Sequence, residues 1–292
     1  MNARPDKCLL RPGNTNCGGC GMSIGLTMLG RALDKAGDNC TLVIPACCGI
    51  VTAGAFPTTS YGAPTLATTF ASSPAVASGV ASIRDLNEES GQVICWAGDG
   101  GTYDIGLATL SAAAERNENI IYICYDNEIY GNTGGQRSSA TPAGARTTTT
   151  PWGKADSKKD IMSIMAAHRI PYAATLSMAH PDDFAKKIAT ALSCRGLRFL
   201  LMLSPCPTGW KSESEDSVQL VRLAVASGLF PVYEVFNGAT YRVNIDPDGT
   251  DPVEYFHLQR RFQDEDINVE AVRKFCVERM RRLHTLAEHY PA

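Results

Sequence analysis

The run Val93-Ile-Cys-Trp-Ala-Gly-Asp-Gly-Gly101 decides the fold. Its first five residues are an apolar strand signal, the glycines end the strand, and a helical pattern opens near Asp104. A strand that passes through glycines into a helix is a place where a sheet receives a ligand. Glycine lets the backbone approach a phosphate, and the helix start offers free N–H groups and a positive dipole end. The run is not a dinucleotide fingerprint, because the third glycine of GxGxxG would fall on Tyr103, nor a P-loop, because no Gly-Lys-Ser/Thr follows. Asp99 is the odd member. A bare carboxylate repels a diphosphate unless a divalent cation lies between them, and Mg²⁺ prefers hard oxygen ligands. A plain strand-to-helix turn with Asp near an N-cap would leave the same local trace.

Outward from Asp99, a helix over Ile105–Arg116 and a strand over Ile120–Tyr125 lead to Asp126-Asn127, 28 residues on. One parallel β-α-β crossover needs about that length, so the spacing sets Asp99 and Asn127 side by side at the carboxyl edge of neighbouring strands. Thr41–Ile44, Phe199–Leu203 and, more weakly, Tyr172–Leu176 are further strands. Met22–Lys35, Val76–Asp85, Lys158–Ala167 and Pro181–Leu192 are helices. The alternation predicts an α/β fold, a mostly parallel sheet with helices on both faces. Ala53–Ser73 and Gly134–Lys154, rich in Thr, Ser, Gly, Ala and Pro, read as linkers on composition alone. Residues 1–242 form one domain in this reading. Residues 243–292 form a C-terminal arm, with a turn cluster over Ile245–Pro252 and an amphipathic helix over Val269–Ala287.

The chain has 292 residues, 44% hydrophobic and 20% charged, enough to bury a sizeable core without disulfides. Its 27 basic and 30 acidic residues leave a formal charge of −3, which argues against a nucleic-acid footprint or an anionic membrane. No apolar run approaches the ~18 residues of a membrane span, and Met1–Cys17 has no signal-peptide core. A cytoplasmic enzyme or enzyme subunit is the expectation. The 11 cysteines are an odd count for such a protein and suggest metal or redox chemistry rather than a disulfide scaffold. Cys95, Cys124, Cys194 and Cys276 lie in apolar or helical contexts and read as packing residues. Cys17, Cys20, Cys47, Cys48 and Cys206 sit among Gly and Pro, where loops approach a ligand.

Gly98-Asp99-Gly100 followed by Asn127 resembles the thiamine-diphosphate motif. The run Tyr125-Asp-Asn-Glu-Ile-Tyr-Gly-Asn-Thr-Gly-Gly-Gln-Arg-Ser-Ser-Ala-Thr-Pro-Ala-Gly-Ala145 resembles the β-subunit of 2-oxoacid:ferredoxin oxidoreductases, the pyruvate synthase type. So do Cys17-Gly-Gly-Cys20-Gly, Ala-Cys-Cys-Gly-Ile around Cys48, and Ser204-Pro-Cys-Pro-Thr-Gly-Trp210. The resemblance implies a thiamine-diphosphate-binding fold in which Asp99, Asn127 and the Ile129 carbonyl hold Mg²⁺. Gly98, Gly100, Gly101, Tyr130 and Cys48 would line the cofactor. Asn132 would be the catalytic residue, reaching the reacting end of the thiamine and the substrate, and Gly134–Lys154 would be an ordered loop beside the cofactor. Cys17, Cys20, Cys48 and Cys206 would ligate one 4Fe–4S cluster. The third ligand is the open point: the family's Thr-Gly-Cys aligns with Ala46-Cys47-Cys48, which favours Cys48. Two positions depart from the family, Gly18 where proline is frequent and Gly131 where a larger residue is usual, on the substrate side of the pocket.

The implied reaction is oxidative decarboxylation of a 2-oxoacid, pyruvate by default, with electrons leaving through iron–sulfur to ferredoxin and the acyl group normally passing to coenzyme A. The glutamate that activates the aminopyrimidine belongs to another module in the family, and the Cys runs of a ferredoxin domain are missing here. The expected partners are therefore an alpha subunit carrying the aminopyrimidine module and gamma and ferredoxin-like delta subunits, the chain being inactive alone. Two other classes compete. A non-redox thiamine-dependent lyase or carboligase would need a chain about twice as long, and a zinc or thiol-redox binding protein would leave Asp99 and Asn127 without a role. Gly21-Met-Ser23-Ile-Gly25 matches the hydrolase elbow GxSxG but lacks the buried strand before it.

Overall fold

The computed structural model describes residues 8–53, 59–263 and 267–291. The described elements run α1 (Gly21–Ala36), β1 (Cys40–Pro45), α2 (Cys48–Ala53), β2 (Thr65–Thr68), α3 (Ser73–Leu86), β3 (Gln92–Gly98), α4 (Leu107–Glu115) and β4 (Ile121–Asp126). They continue with α5 (Ile161–Ala167), β5 (Tyr172–Leu176), α6 (Pro181–Ser193), β6 (Arg198–Leu203), α7 (Pro207–Trp210), α8 (Ser217–Ala226), β7 (Val232–Phe236), β8 (Thr240–Ile245), α9 (Pro252–His257) and α10 (Val269–His289). The strands form one eight-stranded sheet in the order β2-β1-β3-β4-β6-β5-β7-β8. The first six strands in that row are parallel, while β7 runs antiparallel to β5, and β8 to β7.

Every residue of β1, β4, β5 and β6 is buried, as strands covered on both faces must be. Successive residues of β3 feed opposite layers. Ile94 and Trp96 join Leu26, Leu29, Leu33, Phe184 and Ile188 of α1 and α6, whereas Cys95 joins Ala77, Leu110, Met165, Val221 and Met280 on the other face. The spacing of Met22, Leu26, Leu29 and Leu33 places one stripe of α1 on the sheet, and Gly37, at φ 70°, ends that helix in the left-handed conformation. Asp160 caps α5 by accepting from Ser163 N, worth about 1 kcal/mol.

The expected α/β architecture is present, with differences of detail. Helix α4 starts at Leu107 because Gly100–Asp104 winds into a π-turn first. That wide turn brings the Gly101 carbonyl oxygen to 1.9 Å from where a Cβ on Gly106 would stand, so only glycine fits there. Edge strand β2 and the hairpin β7–β8 escaped the sequence reading. β2 has a half-exposed, Thr-rich face, and β8 carries no buried run. The segment Ala53–Ser73 therefore contains a strand, although residues 54–58 lie outside the described residues. The boundary drawn at 242/243 falls inside β8, and α10 lays Cys276, Met280 and Leu283 onto the core. Gly21–Gly25 lies wholly within α1, so the hydrolase pattern is helix sequence. Among the described residues no helix is long and apolar enough to cross a membrane.

Candidate active site

Strand order reverses between β1 and β3, the position where open α/β sheets take ligands at their carboxyl ends. Four adjacent strands, β1, β3, β4 and β6, deliver Cys48, Asp99, the Asp126–Gly131 turn and Cys206 to that edge in turn. Gly98 pairs with Tyr125 across β3 and β4, which sets Asp99 beside the β4 end. One terminal atom of the Asn127 carboxamide lies 2.7 Å from Asp99 Oδ1 and 2.7 Å from the Ile129 carbonyl oxygen. Nitrogen at that point donates to both oxygens. A half-turn of the amide puts oxygen there, and three oxygens then converge, the donor set of a hard cation.

Asp99 is 2% exposed. Burial, and next the negative charge of Asp126, hold its carboxyl well above the usual range, against the hydrogen bond it accepts from Ser138 Oγ. A bound cation would relieve both penalties. The residues present therefore fit Mg²⁺.

The glycine turn is closely covered. The ring of Tyr130 approaches within 2.3 Å of the position a Gly100 Cβ would take, and its hydroxyl donates to Asp104 Oδ2 at 2.7 Å. Phe70 meets that ring edge-on and lies 3.4 Å from where a Gly101 Cβ would be. Gly134–Lys154 is ordered and folds back over the edge. Ser138 binds Asp99, Ser139 N donates to Asp104 Oδ2 at 3.2 Å, and Thr141 Oγ1 donates to the Glu128 carbonyl at 2.7 Å. Buried Lys154 holds the loop closed, donating to the Thr141 carbonyl at 2.7 Å. Asn132 stands apart, exposed on the turn after Gly131.

The cysteines converge from three segments. Cys20 immediately precedes α1, where a Cβ on Gly21 would come within 2.7 Å of Pro205 N, so α1 begins against the chain leading to Cys206. Thr208 on α7 lies 3.7 Å from Cys17 Sγ. Cys206 Sγ and Cys48 Sγ lie 3.6 and 3.9 Å from the point where a Gly131 Cβ would sit, so both sulfurs face the same small gap. Burial first, then the charges of Cys206, Cys47, Cys20 and Cys17, push the Cys48 thiol up to about 12. Cys47 Sγ lies 3.4 Å from the Gly49 Cβ position, beside the Tyr61 hydroxyl. Among the described residues no three His, Cys, Asp or Glu side chains close on a point as a single ion requires. Cys95, Cys124 and Cys276 are buried, as expected of packing residues.

Sequence reasoning missed a buried ionic group behind the turn. Glu128, at φ 60°, turns inward and is 4% exposed. Its carboxylate accepts from Lys158 Nζ at 2.8 Å and from Arg261 Nη2 at 2.5 Å. Burial would raise the Glu128 carboxyl, but the charges of Lys158 and Arg261 outweigh it and hold the group below the usual range. Lys158 also pairs with Asp126 at 2.6 Å. Breaking such a buried pair from one side costs about 3–5 kcal/mol. Arg261 lies 133 residues beyond Glu128, and no short motif could announce it.

Residues 47–201 match the family model described as the C-terminal TPP-binding domain of thiamine pyrophosphate enzymes. The chain is 44% identical to the ketoisovalerate oxidoreductase subunit VorB of Pyrococcus horikoshii, over 94% of this chain and 92% of that one. The chain belongs to the β-subunit family of the 2-oxoacid:ferredoxin oxidoreductases. The pyruvate synthase subunit PorB of Methanocaldococcus jannaschii is 42% identical, over 93% of this chain and 95% of that one. A solved 2-oxoglutarate:ferredoxin oxidoreductase from Magnetococcus marinus, with 2-oxoglutarate, coenzyme A and succinyl-CoA bound, shares the fold. Its TM-score is 0.65 at 21% identity, covering 87% of this chain and 90% of that one. Membership in this family sets aside the non-redox lyase and the zinc or thiol-redox binding protein as readings of the chain.

Proposed function

We propose that this chain binds thiamine diphosphate through Mg²⁺ and carries one 4Fe–4S cluster. On this reading it is a catalytic subunit for oxidative decarboxylation of a 2-oxoacid. The observation that carries the reading is the convergence of Asp99, Asn127 and the Ile129 carbonyl on the same sheet edge where Cys48 and Cys206 meet. Gly98, Gly100 and Gly101 give the diphosphate backbone without side chains, with Tyr130 over Gly100 and Phe70 beside Gly101. Cys17, Cys20, Cys48 and Cys206 are the cluster ligands; Cys47, whose sulfur lies beside Tyr61, is not. When bound, the thiamine supplies the electron sink that lets a 2-oxoacid lose CO₂, and the cluster supplies a one-electron acceptor.

The chain's own residues hold and orient. Ser138 fixes the Asp99 carboxylate, Trp210 Nε1 donates to the Asn127 carbonyl at 2.7 Å, and the Gly134–Lys154 loop walls the diphosphate end from water. Asn132, exposed on the turn after Gly131, would be the residue that reaches substrate on this reading. Asp104, Asp126 and Glu128 are each tied to Tyr130, Lys158 or Arg261, which leaves the aminopyrimidine to a carboxylate from another subunit. That subunit is the alpha partner, with gamma and ferredoxin-like delta subunits completing the enzyme, coenzyme A taking the acyl group and ferredoxin the electrons, in the cytoplasm. Pyruvate is the default substrate. A branched 2-oxoacid is the second reading, favoured by the 44% identity to a subunit named for ketoisovalerate.

The test is anaerobic purification with iron, sulfide and thiamine analysis, followed by addition of the partner subunits. Iron and sulfide in the 4Fe–4S ratio and Mg²⁺-dependent cofactor binding are expected, with 2-oxoacid-dependent dye reduction only after the partners are added. A chain without iron, or one that turns over alone at the rate of the complex, contradicts the proposal.

A further inference from the structure

Arg261 lies on the segment after α9, in the part of the sequence that reads as an appended arm. It is nevertheless fully buried, among the largest side chains to be so. Its guanidinium sits 4.1 Å over the ring of Trp210. Nη2 donates to Glu128 and Nε to Gln259 Oε1 at 2.8 Å, while buried Nη1 has no hydrogen-bond partner. Trp210 closes α7, the turn capped by Cys206, and its own ring N–H donates to the Asn127 carbonyl. A single guanidinium thus braces the cation turn twice, through Glu128 and through Trp210. It also supports the wall on which Cys206 is mounted.

We infer that Arg261 is a positioning residue that couples the two halves of the site, holding the Asp126–Gly131 turn in register for the cation through Glu128 and turning the positive end of that ion pair, stacked on Trp210, toward the iron–sulfur cluster beside Cys206. This inference rests on the proposed function, since it needs the cluster at Cys206. Two physical consequences follow. A buried cation near a cluster favours the state with one more electron, because charge is poorly screened away from water. Removing the charge should therefore lower the cluster potential, and removing the planar stack should loosen the turn.

The experiment uses the assembled complex, with the signal of this cluster identified as the one lost in Cys48→Ser. Arg261→Lys keeps the charge but loses the stack and the fork, so Mg²⁺–thiamine diphosphate affinity should fall about 10- to 100-fold, the range for residues that orient ligands, with the potential nearly unchanged. The double variant Glu128→Gln/Arg261→Met removes the whole pair without leaving a lone buried carboxylate; because its positive end is the nearer to the cluster, the potential should shift to more negative values. An unshifted potential in the double variant, or full cofactor affinity in Arg261→Lys, overturns the inference. If the wild-type complex shows no signal that Cys48→Ser removes, the cluster assignment itself fails, which is a separate result.

Discussion

The oxygen site and the sulfur site occupy neighbouring strand ends, yet they are assembled over very different stretches of chain. Asp99, Asn127 and Ile129 come from one crossover, β3 to β4, whose register brings their backbones together before any other strand is needed. The cysteines come from the starts of α1, α2 and α7 and meet only when α1 has docked on Pro205 and β6 has joined β4. Closing those longer loops is entropically dearer and depends on the whole sheet. The lesson is one of fragility. Damage to remote packing should empty the sulfur site first, whereas the oxygen site should fail only when its own turn is disturbed.

The largest effect is expected at the sulfur site itself. Cys48→Ser should abolish the cluster or most of it, while Cys47→Ser should keep it, since the Cys47 sulfur lies beside Tyr61, as iron and sulfide analysis of the two will show. The reverse pattern would mean that the neighbouring cysteine is the ligand. Next, Asp99→Ala and Asn127→Ala should each weaken Mg²⁺–thiamine diphosphate binding by more than the about 10- to 100-fold typical of outer residues, with the fold retained. Titration with the cofactor measures this, and unchanged affinity in both would remove the cation assignment.

How much of this was legible in the sequence follows the same division. The strand signal at Val93–Ala97, the glycines and the 28-residue spacing announced the oxygen site, because a crossover is a local object with a characteristic length. Spacing alone could not join Cys17 to Cys206, and only family resemblance did so. Composition misread Gly134–Lys154 as a linker, since its order comes from carbonyls gripped by Lys154 and hydroxyls gripped by Asp99 and Asp104. β8 was hidden by its lack of buried residues, and Arg261 by distance.

Two glycines offer a sharper separation of the sites. Gly21→Ala drives a Cβ into the Ser204–Pro205 backbone and should lower cluster content while leaving cofactor affinity within about twofold. Gly106→Ala drives one into the Gly101 carbonyl and should do the opposite, at about 1–3 kcal/mol of stability. Parallel losses at both sites in both variants would show that the edge behaves as one unit, against the comparison drawn above. The smallest effect belongs to Gly131→Ala. The nearest atoms to its new methyl lie at 3.6 to 3.9 Å, ordinary contact distances, so stability should stay within about 0.5 kcal/mol and both cofactors should still bind. Loss of either one would show that the gap at Gly131 must stay empty.

The claim that both sites share one edge is tested most directly by magnetic proximity. Mn²⁺ takes the same oxygen ligands as Mg²⁺ and carries unpaired electrons. In the assembled complex loaded with thiamine diphosphate, the electron-paramagnetic-resonance signal of the reduced cluster that depends on Cys48 should broaden and relax faster with Mn²⁺ than with Mg²⁺, and Asp99→Ala should abolish the difference. An identical cluster signal with either ion, while Mn²⁺ is shown to be bound, would contradict the account.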